Sequence, residues 1–417
     1  MTGTPVHVRP LPPADRSLRT ILRRRPFTHH NRLAAIVVLA NLGFAVSGGW
    51  WGEENVVTAL VVANVTLAVL VRQQLVINLL FRLATSVPVH WPLRVRWTLG
   101  KVYHFGGLHV GAASCATVWF LVLAVITTVH GAPVFLLALT WLIFAVLAAI
   151  IVLALPRLRA RHHDLFERSH RFGGWTVLVL FGVQSAVSNP VFLWPLALVV
   201  ASVALPWLRL RRVPVHIVSP SPHVALVSFD HGVTPFAGSS TAVSRNPLLE
   251  WHSFANVPAP GRSGFRLTIS RAGDWTARFI ADQPSHVWVK GIPTAGVGNI
   301  DQLFTRVVWV ATGSGIGPCL PHLLAGTAPA RLVWSTRDPR RTYGDELVDE
   351  ILRVQPDAVV WDTATAGKPD LVALAHDACL RFDAEAVICI SNKPTTWHVV
   401  EEMEARGIPA YGAIWDS

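Results

Sequence analysis

Six apolar runs, at about 33–51, 55–71, 103–128, 132–155, 172–188 and 191–208, constrain this chain more than anything else in it. Each approaches the roughly 20 residues that carry a helix across a bilayer. Backbone groups in hydrocarbon must be satisfied within the segment, so helices are the structure open to these runs. The second can extend through Arg72 to Ala84. A hydrophobic share of 52% with only 15% charged residues in 417 fits a membrane protein better than two or three soluble domains. The breaks between runs set the orientation. Arg23, Arg24, Arg25 and Arg32 precede the first; Arg82, Arg94, Arg96 and Lys101 lie between the second and third; Arg157, Arg159, Arg161, Arg168 and Arg171 follow the fourth; Arg209, Arg211 and Arg212 follow the sixth. The alternate breaks, around Glu53-Glu54, His130-Gly131 and Ser188-Asn189, hold no Lys or Arg. By the positive-inside rule both termini are expected in the cytoplasm, with 1–32 a cytoplasmic segment and 33–212 a six-span transmembrane domain of the cytoplasmic (plasma) membrane.

The net charge of +11 invites a nucleic-acid reading, which its location excludes. Residues 1–214 hold 20 Lys+Arg against 5 Asp+Glu, and the remainder holds 16 against 20. The basic excess therefore belongs to the inner face of the helical half, where the partner it suits is membrane lipid. The first 32 residues show no apolar core, so no cleavable signal peptide is expected. Cys115, Cys319, Cys379 and Cys389 make no C-x-x-C pair, which argues against iron–sulfur clusters and structural zinc. Free thiols suit a cytoplasmic soluble half.

From Val213 the texture changes to short alternating runs broken by Pro and Gly, such as His216 to Val218, Val224 to Phe229, Phe265 to Ser270 and His286 to Val289. This predicts a small antiparallel barrel over 213–305. From 306 to 417 apolar strands alternate with helical stretches: Val307 to Val310, Leu332 to Ser335, Ala358 to Trp361 and Ala386 to Ile390, with helices near 345–354, 371–382 and 396–406. That alternation predicts an open parallel sheet. Its first strand runs into Thr312-Gly313-Ser314-Gly315-Ile316-Gly317, a turn whose glycines let the backbone approach a pyrophosphate at a helix start. The spacing is not G-x-G-x-x-G, and a plain strand-to-helix turn is the competing reading.

In this order, and with the pieces Glu250-Trp251-His252-Ser253-Phe254, Arg271-Ala272-Gly273-Asp274-Trp275-Thr276, Val333-Trp334-Ser335-Thr336-Arg337 and a tail ending Ile414-Trp415-Asp416-Ser417, the chain resembles the ferredoxin-reductase superfamily. The form it resembles is that of membrane ferric reductases and NADPH oxidases, within a fungal and bacterial subgroup in which some members are fused to adenylate-forming enzymes. The resemblance implies a six-helix transmembrane bundle followed by an FAD-binding barrel and an NAD(P)-binding α/β domain. It places Trp251, His252, Ser253 and Phe254 at the flavin, with Phe254 stacking on its ring. The Thr that would bond the flavin N5 is Ala255 here, leaving Ser253 or a backbone N–H to supply that bond. Arg271, Gly273 and Thr276 match the FAD pyrophosphate site, and Thr312, Gly313, Gly315 and Gly317 match the nicotinamide nucleotide turn. Ser335 and Arg337 suit a 2′-phosphate, which favours NADPH over NADH. Trp415 stands where relatives place a terminal aromatic over the flavin. At Cys389-Ile390-Ser391 the chain departs from the superfamily's Cys-Gly-Pro.

The same resemblance brings haem into view. His104 and His109 open the third run and His170 enters the fifth, so His170 with His104 or His109 can hold one haem b near the cytoplasmic leaflet. His104 and His109 are about 140° apart around a helix and do not face one iron together. At the depth of an outer haem stand Thr117, Val118, Val183 and Gln184, none of them a ligand. The competing reading makes His104 and His170 interfacial side chains. Taken together, the expectation is a membrane-bound FAD-dependent NAD(P)H oxidoreductase that passes electrons to a small-molecule acceptor at the inner leaflet or in the cytoplasm. The acceptor would be quinone-like, a metal or a single haem. The alternative is a degenerate reductase that holds flavin or nucleotide as a sensor; a transporter is the weakest reading, because paired broken helices are missing.

Overall fold

The computed structural model describes residues 9–413 apart from 23, 25, 49, 51, 231, 234 and 259–263, so Trp415 lies outside the described residues. Among them, four helices are long and apolar enough to cross a bilayer: His29–Ser47, the continuous run Leu93–Val129, Val134–Ala154 and Pro190–Leu208. A fifth span arises if Glu54–Leu70 and Gln74–Thr85, bent by 72° at their break, count as one. Helix His163–Ser188 occupies the place of the expected fifth run, but its first turns carry Asp164, Glu167, Arg168 and Arg171. It does not reach the same apolar standard.

Small and polar residues hold this helical half together. A Cβ on Gly107 would lie 2.0 Å from the His30 carbonyl oxygen and one on Gly111 would lie 2.7 Å from that of Ala34, so only glycine permits helices His29–Ser47 and Gly106–Val129 to approach this closely. Asn41 and Asn64 exchange side-chain hydrogen bonds of 2.8 and 3.2 Å, and the Trp119 indole donates to Asn41 at 2.9 Å. Large apolar side chains such as Leu39, Val46, Phe135 and Trp194 point outward.

The run expected to continue the second span past Arg72 does something else. After the bend, Gln74–Thr85 lies against the C-terminal half, with Ile77 and Phe81 in one core with Trp309, Leu320 and Tyr411. Asn78 accepts from the Ala295 amide at 2.8 Å and donates to the Pro293 carbonyl at 2.9 Å.

Two antiparallel sheets form the barrel. One runs in the order Leu210–Pro214, His286–Lys290, Ser239–Ser244, His252–Ala255, with Thr294–Ala295 paired to Ser239–Ser244. The other runs His216–Ser221, Val224–Phe229, Phe265–Ser270, Val257–Pro258. Helix Leu193–Leu208 passes into the first strand at Leu210, so the barrel begins a few residues before Val213. Helix Asp274–Asp282 closes one end, packing Trp275, Phe279 and Ile280 on Val227, Leu267 and Val289.

The last unit is a five-stranded parallel sheet in the order Val359–Asp362, Ala330–Thr336, Val307–Thr312, Ala386–Ile390, Ala410–Gly412. In chain order this is 3-2-1-4-5, the doubly wound arrangement whose switch point falls between the first and fourth strands. Val307, Val308, Trp309 and Val310 are fully buried, as a central strand covered on both faces requires.

Candidate functional site

The carboxyl ends of strands Val307–Thr312 and Ala386–Ile390 diverge at the switch point, and the glycine turn sits there. The Thr312 and Ser391 hydroxyls meet at 2.5 Å across the crevice. Gly313 adopts a φ of +49°, which favours glycine, and the Trp334 indole donates to its carbonyl at 3.0 Å. A Cβ on Gly315 would lie 2.0 Å from the Ile390 carbonyl oxygen; one on Gly317 would lie 3.3 Å from Thr268 of the barrel. The three glycines thus serve a left-handed turn, a close strand contact and a domain contact. The turn leads directly into helix Ile316–Ala325, the strand–turn–helix order in which a helix start can meet an anion. Trp334 and Ser391 thereby join the site residues, each inside a stretch that the sequence marks out.

Beside Thr312 in the sheet register stands Ser335, which is buried, while Arg337 is exposed beyond the strand end. Among the described residues the Arg337 guanidinium has no carboxylate partner, and Arg341, also exposed, lies one turn on. Arg340 is committed to Asp345 and Asp349 at 2.8 and 2.7 Å. Cys389 is wholly buried, and burial pushes its thiol up to about 12, so it is a core residue and no source of thiolate.

Strand His252–Ala255 is the free edge of its sheet, packed beside helix Ile316–Ala325. His252 and Phe254 share one face. The His252 ring stacks on Trp275 at 4.0 Å, and Phe254 lies nearly parallel to Trp275 at 6.1 Å. One face of Phe254 is therefore taken, and a flavin ring would use the other. Burial holds His252 below the usual imidazole range, so near pH 7 it offers a neutral ring to a phosphate. Ser253 is exposed and, two residues before Ala255, shares its side of the strand, so its hydroxyl and an edge-strand N–H both remain for the bond that Ala255 lacks.

Of two other residues carried over from the resemblance, Thr276 is the helix cap expected of it and Trp251 turns away from the barrel edge. Thr276 accepts from the Ala272 and Gly273 amides at 2.9 and 3.1 Å and donates to the Gly273 carbonyl at 3.0 Å, so its hydroxyl caps the helix and is not free for a pyrophosphate. Trp251 turns toward the helical half, with its ring 6.1 Å from Trp207 and the Lys290 ammonium 4.2 Å from its centroid. What remains for a dinucleotide is a matched set. Gly273 has open space beside it at the helix start, Arg271 is exposed nearby, and the His252 Nε2 and Trp275 Nε1 atoms are buried without a partner.

Among the histidines, the structure selects one pair. His109 and His170 bring their ring centroids to 6.0 Å, and the His109 Nδ1 is 2.9 Å from the Ala68 carbonyl, which leaves Nε2 for another ligand. The His170 Nδ1 is buried without a partner. His104 is elsewhere, tilted on Tyr103 at 4.3 Å and stacked on His29 at 6.0 Å. Eleven residues further along the same two helices, about 16 Å, Phe120 and Phe181 pack edge to face at 5.4 Å. Gln184, fully enclosed, donates to Thr140 at 3.0 Å.

The C-terminal half thus sets an antiparallel barrel before a 3-2-1-4-5 parallel sheet with a glycine turn at its switch point. Residues 297–417 match the C-terminal domain of adenylate-forming reductase 03009. The chain is 43% identical over 424 residues to adenylate-forming reductase 03009 of Coprinopsis cinerea, and 41% identical to adenylate-forming reductase 06235 of the same fungus. Each alignment takes in 95% of this chain and 41% of the relative, so the chain spans about two fifths of the length of these curated relatives. Solved structures with a similar fold include a ferredoxin–NADP+ reductase from Neisseria gonorrhoeae with bound FAD and NADP, at 14% identity and a TM-score of 0.41 over 49% of this chain and 98% of that one. Another is the Plasmodium falciparum ferredoxin–NADP+ reductase H286K mutant with 2′P-AMP, at 10% identity and 0.40 over 48% and 94%.

Proposed function

We propose that this protein is a membrane-bound, FAD-dependent NAD(P)H oxidoreductase that delivers electrons to an acceptor at the inner leaflet or in the cytoplasm. The observation that carries the reading is the glycine turn at the switch point, set beside the free edge strand His252–Ala255. The turn and the start of helix Ile316–Ala325 would hold the nicotinamide dinucleotide, with Arg337 and Arg341 at a 2′-phosphate. Arg271, the start of helix Asp274–Asp282 and the orphaned His252 and Trp275 nitrogens would hold FAD, with one face of Phe254 on its ring. Bound there, FAD supplies hydride acceptance and release of electrons singly or in pairs. This chain's own part is to align two ring systems across the Thr312–Ser391 crevice.

Several features support a membrane setting: the outward apolar side chains, the glycine-mediated helix contact and the exposed stripe Leu75, Leu79 and Leu83 on the bent helix, which suits an interface. His109 and His170, with ring centroids 6.0 Å apart, are the residues that would hold one haem b, which would supply one-electron chemistry near the barrel. His104 is not part of that pair. The aromatic packing of Phe120 and Phe181 leaves the far half of the bundle without a second such site among the described residues. A quinone-like molecule or a metal complex reaching the inner side is therefore the favoured acceptor class.

Sidedness tests this. Inverted vesicles given NADPH and a quinone analogue should show brisk reduction, while intact cells should reduce an impermeant external ferric chelate slowly. Fast external reduction that disappears with deletion of the gene would contradict the proposal.

A further inference from the structure

Two adjoining cavities open where the N-terminal helices meet the last parallel domain, and no residue lining them belongs to the glycine turn or to strand His252–Ala255. The first holds about 270 Å³, with His29 and Arg32 on one wall, Arg94, Lys101 and His104 on a second, and Glu401 and Glu404 on a third. Three permanent cations thus face two carboxylates. Lys101 is committed, donating to Glu404 at 2.6 Å and to the Ala410 carbonyl at 2.8 Å. The Trp97 indole also donates to Glu404, at 3.1 Å, so this carboxylate is satisfied and would repel an incoming anion little. Arg94 lines both cavities, is exposed, and among the described residues its guanidinium has neither a carboxylate nor a hydrogen-bond acceptor. A guanidinium offers five N–H donors in a fixed fork. One Arg32 N–H goes to the Leu22 carbonyl, and the rest of its fork is left for a ligand. A phosphate presents more oxygens, and more charge, to two such forks than a carboxylate does.

We propose that this cavity binds a phosphate group, held by Arg94 and Arg32 with the His29 and His104 rings at its side. The phosphate can come from a phospholipid headgroup, if the helical half spans the membrane as proposed above, or from a soluble phosphate ester. Binding itself depends on neither the flavin nor the nicotinamide reading.

The test uses the full chain in uncharged detergent, with thermal unfolding followed by tryptophan fluorescence. Inorganic phosphate is compared with chloride at matched ionic strength, and nanodiscs of phosphatidylcholine alone are compared with nanodiscs containing phosphatidylglycerol. The site predicts saturable protection by one of the two probes. Arg94→Gln should raise the half-saturating amount about tenfold or more, the loss of one charge-assisted partner. Its unfolding midpoint without ligand should stay unchanged, because Arg94 has no internal partner to lose. Arg212→Gln, an exposed basic residue outside the cavities, controls for general surface charge. Protection by phosphate assigns a soluble ester, and protection by phosphatidylglycerol alone assigns a headgroup. No protection by either probe, equal protection of wild type and Arg94→Gln, or an equal loss in Arg212→Gln would overturn the proposal.

Discussion

Gly315 and Arg337 carry the sharpest consequences for single side chains. A methyl group at Gly315 would meet a backbone oxygen at 2.0 Å, and a central strand cannot yield. The turn must move instead, at a cost of about 1–3 kcal/mol for overpacking. Gly315→Ala should therefore weaken NADPH binding roughly tenfold or more while the barrel stays folded. Cofactor titration alongside circular dichroism checks this, and unchanged affinity would mean that the turn does not touch the dinucleotide. Arg337→Ala should cost NADPH about 1.5–3 kcal/mol, roughly ten- to a hundredfold, and leave NADH nearly unaffected. Equal losses for both cofactors would return Arg337 to a solvated loop. His109 and His170 give a third expectation at this scale. Substituting either by Ala should abolish any haem absorbance, whereas His104→Ala should preserve it; reduced and oxidised spectra of the three variants decide.

Between elements, the decisive contact is the dock of the segment Leu93–Phe105 on the parallel domain. Arg96 makes a two-pronged bridge to Glu385 at 2.7 and 2.9 Å and donates to the Leu303 carbonyl at 2.8 Å. Tyr411 donates to the Trp97 carbonyl at 2.9 Å, and its ring lies where a Cβ on Gly100 would be. The Arg96 guanidinium, the largest cause, and the Thr305 amide, which donates to the same carboxylate at 2.7 Å, hold the Glu385 carboxyl below its ordinary range. A carboxylate whose folded pKa is depressed stabilises fully above its unfolded value, near 4.5, and loses that contribution as pH falls through the lower folded value. Glu385→Gln, which leaves Arg96 buried and uncompensated, should destabilise the dock by about 3 kcal/mol. Its melting temperature should be lower than that of wild type at pH 7, and the gap should narrow in acid. A constant gap down to pH 3 would show that the bridge is not what Glu385 contributes. Sequence reading placed Arg94, Arg96 and Lys101 together as inner-face charges. Only Arg94 is exposed, because the acidic partners of Arg96 and Lys101 lie some three hundred residues away. The extension past Arg72 was misjudged for a related reason. A bilayer and a protein core reward the same apolar residues, and local composition does not tell Ile77 and Phe81 which they face. Strands Val224–Phe229, Phe265–Ser270 and Ala386–Ile390 were legible because alternation, or an unbroken apolar run, is local. Strands Leu210–Pro214 and Ser239–Ser244 were not, being polar edges or Ser-rich segments ordered by their neighbours.

Over the whole molecule, the helical half is tied to the two C-terminal domains through Gln74–Thr85, the Arg96 and Lys101 bridges and the contact of Trp207 with Trp251. The histidine pair and the glycine turn therefore belong to one connected body rather than to tethered modules. The candidate site was legible as a set of stretches, since Thr312 to Gly317 and Trp251 to Ala255 carry their own turn and strand signals. The partition within those stretches was legible only in part: the Thr276 cap is local, made with Ala272 and Gly273, whereas whether Trp251 faces flavin or Trp207 depends on packing remote in sequence. A reductase and a sensor built on this frame differ in one observable, which is whether electrons move from nicotinamide to flavin. The direct measurement is an anaerobic absorption spectrum of detergent-purified full chain, reconstituted with FAD and titrated with NADPH. The account predicts stoichiometric FAD and full bleaching of its visible absorbance on adding NADPH, with Gly315→Ala bleaching only at much higher cofactor concentration. A preparation that takes up no FAD, or one whose bound FAD keeps its colour under excess NADPH and NADH, would contradict it.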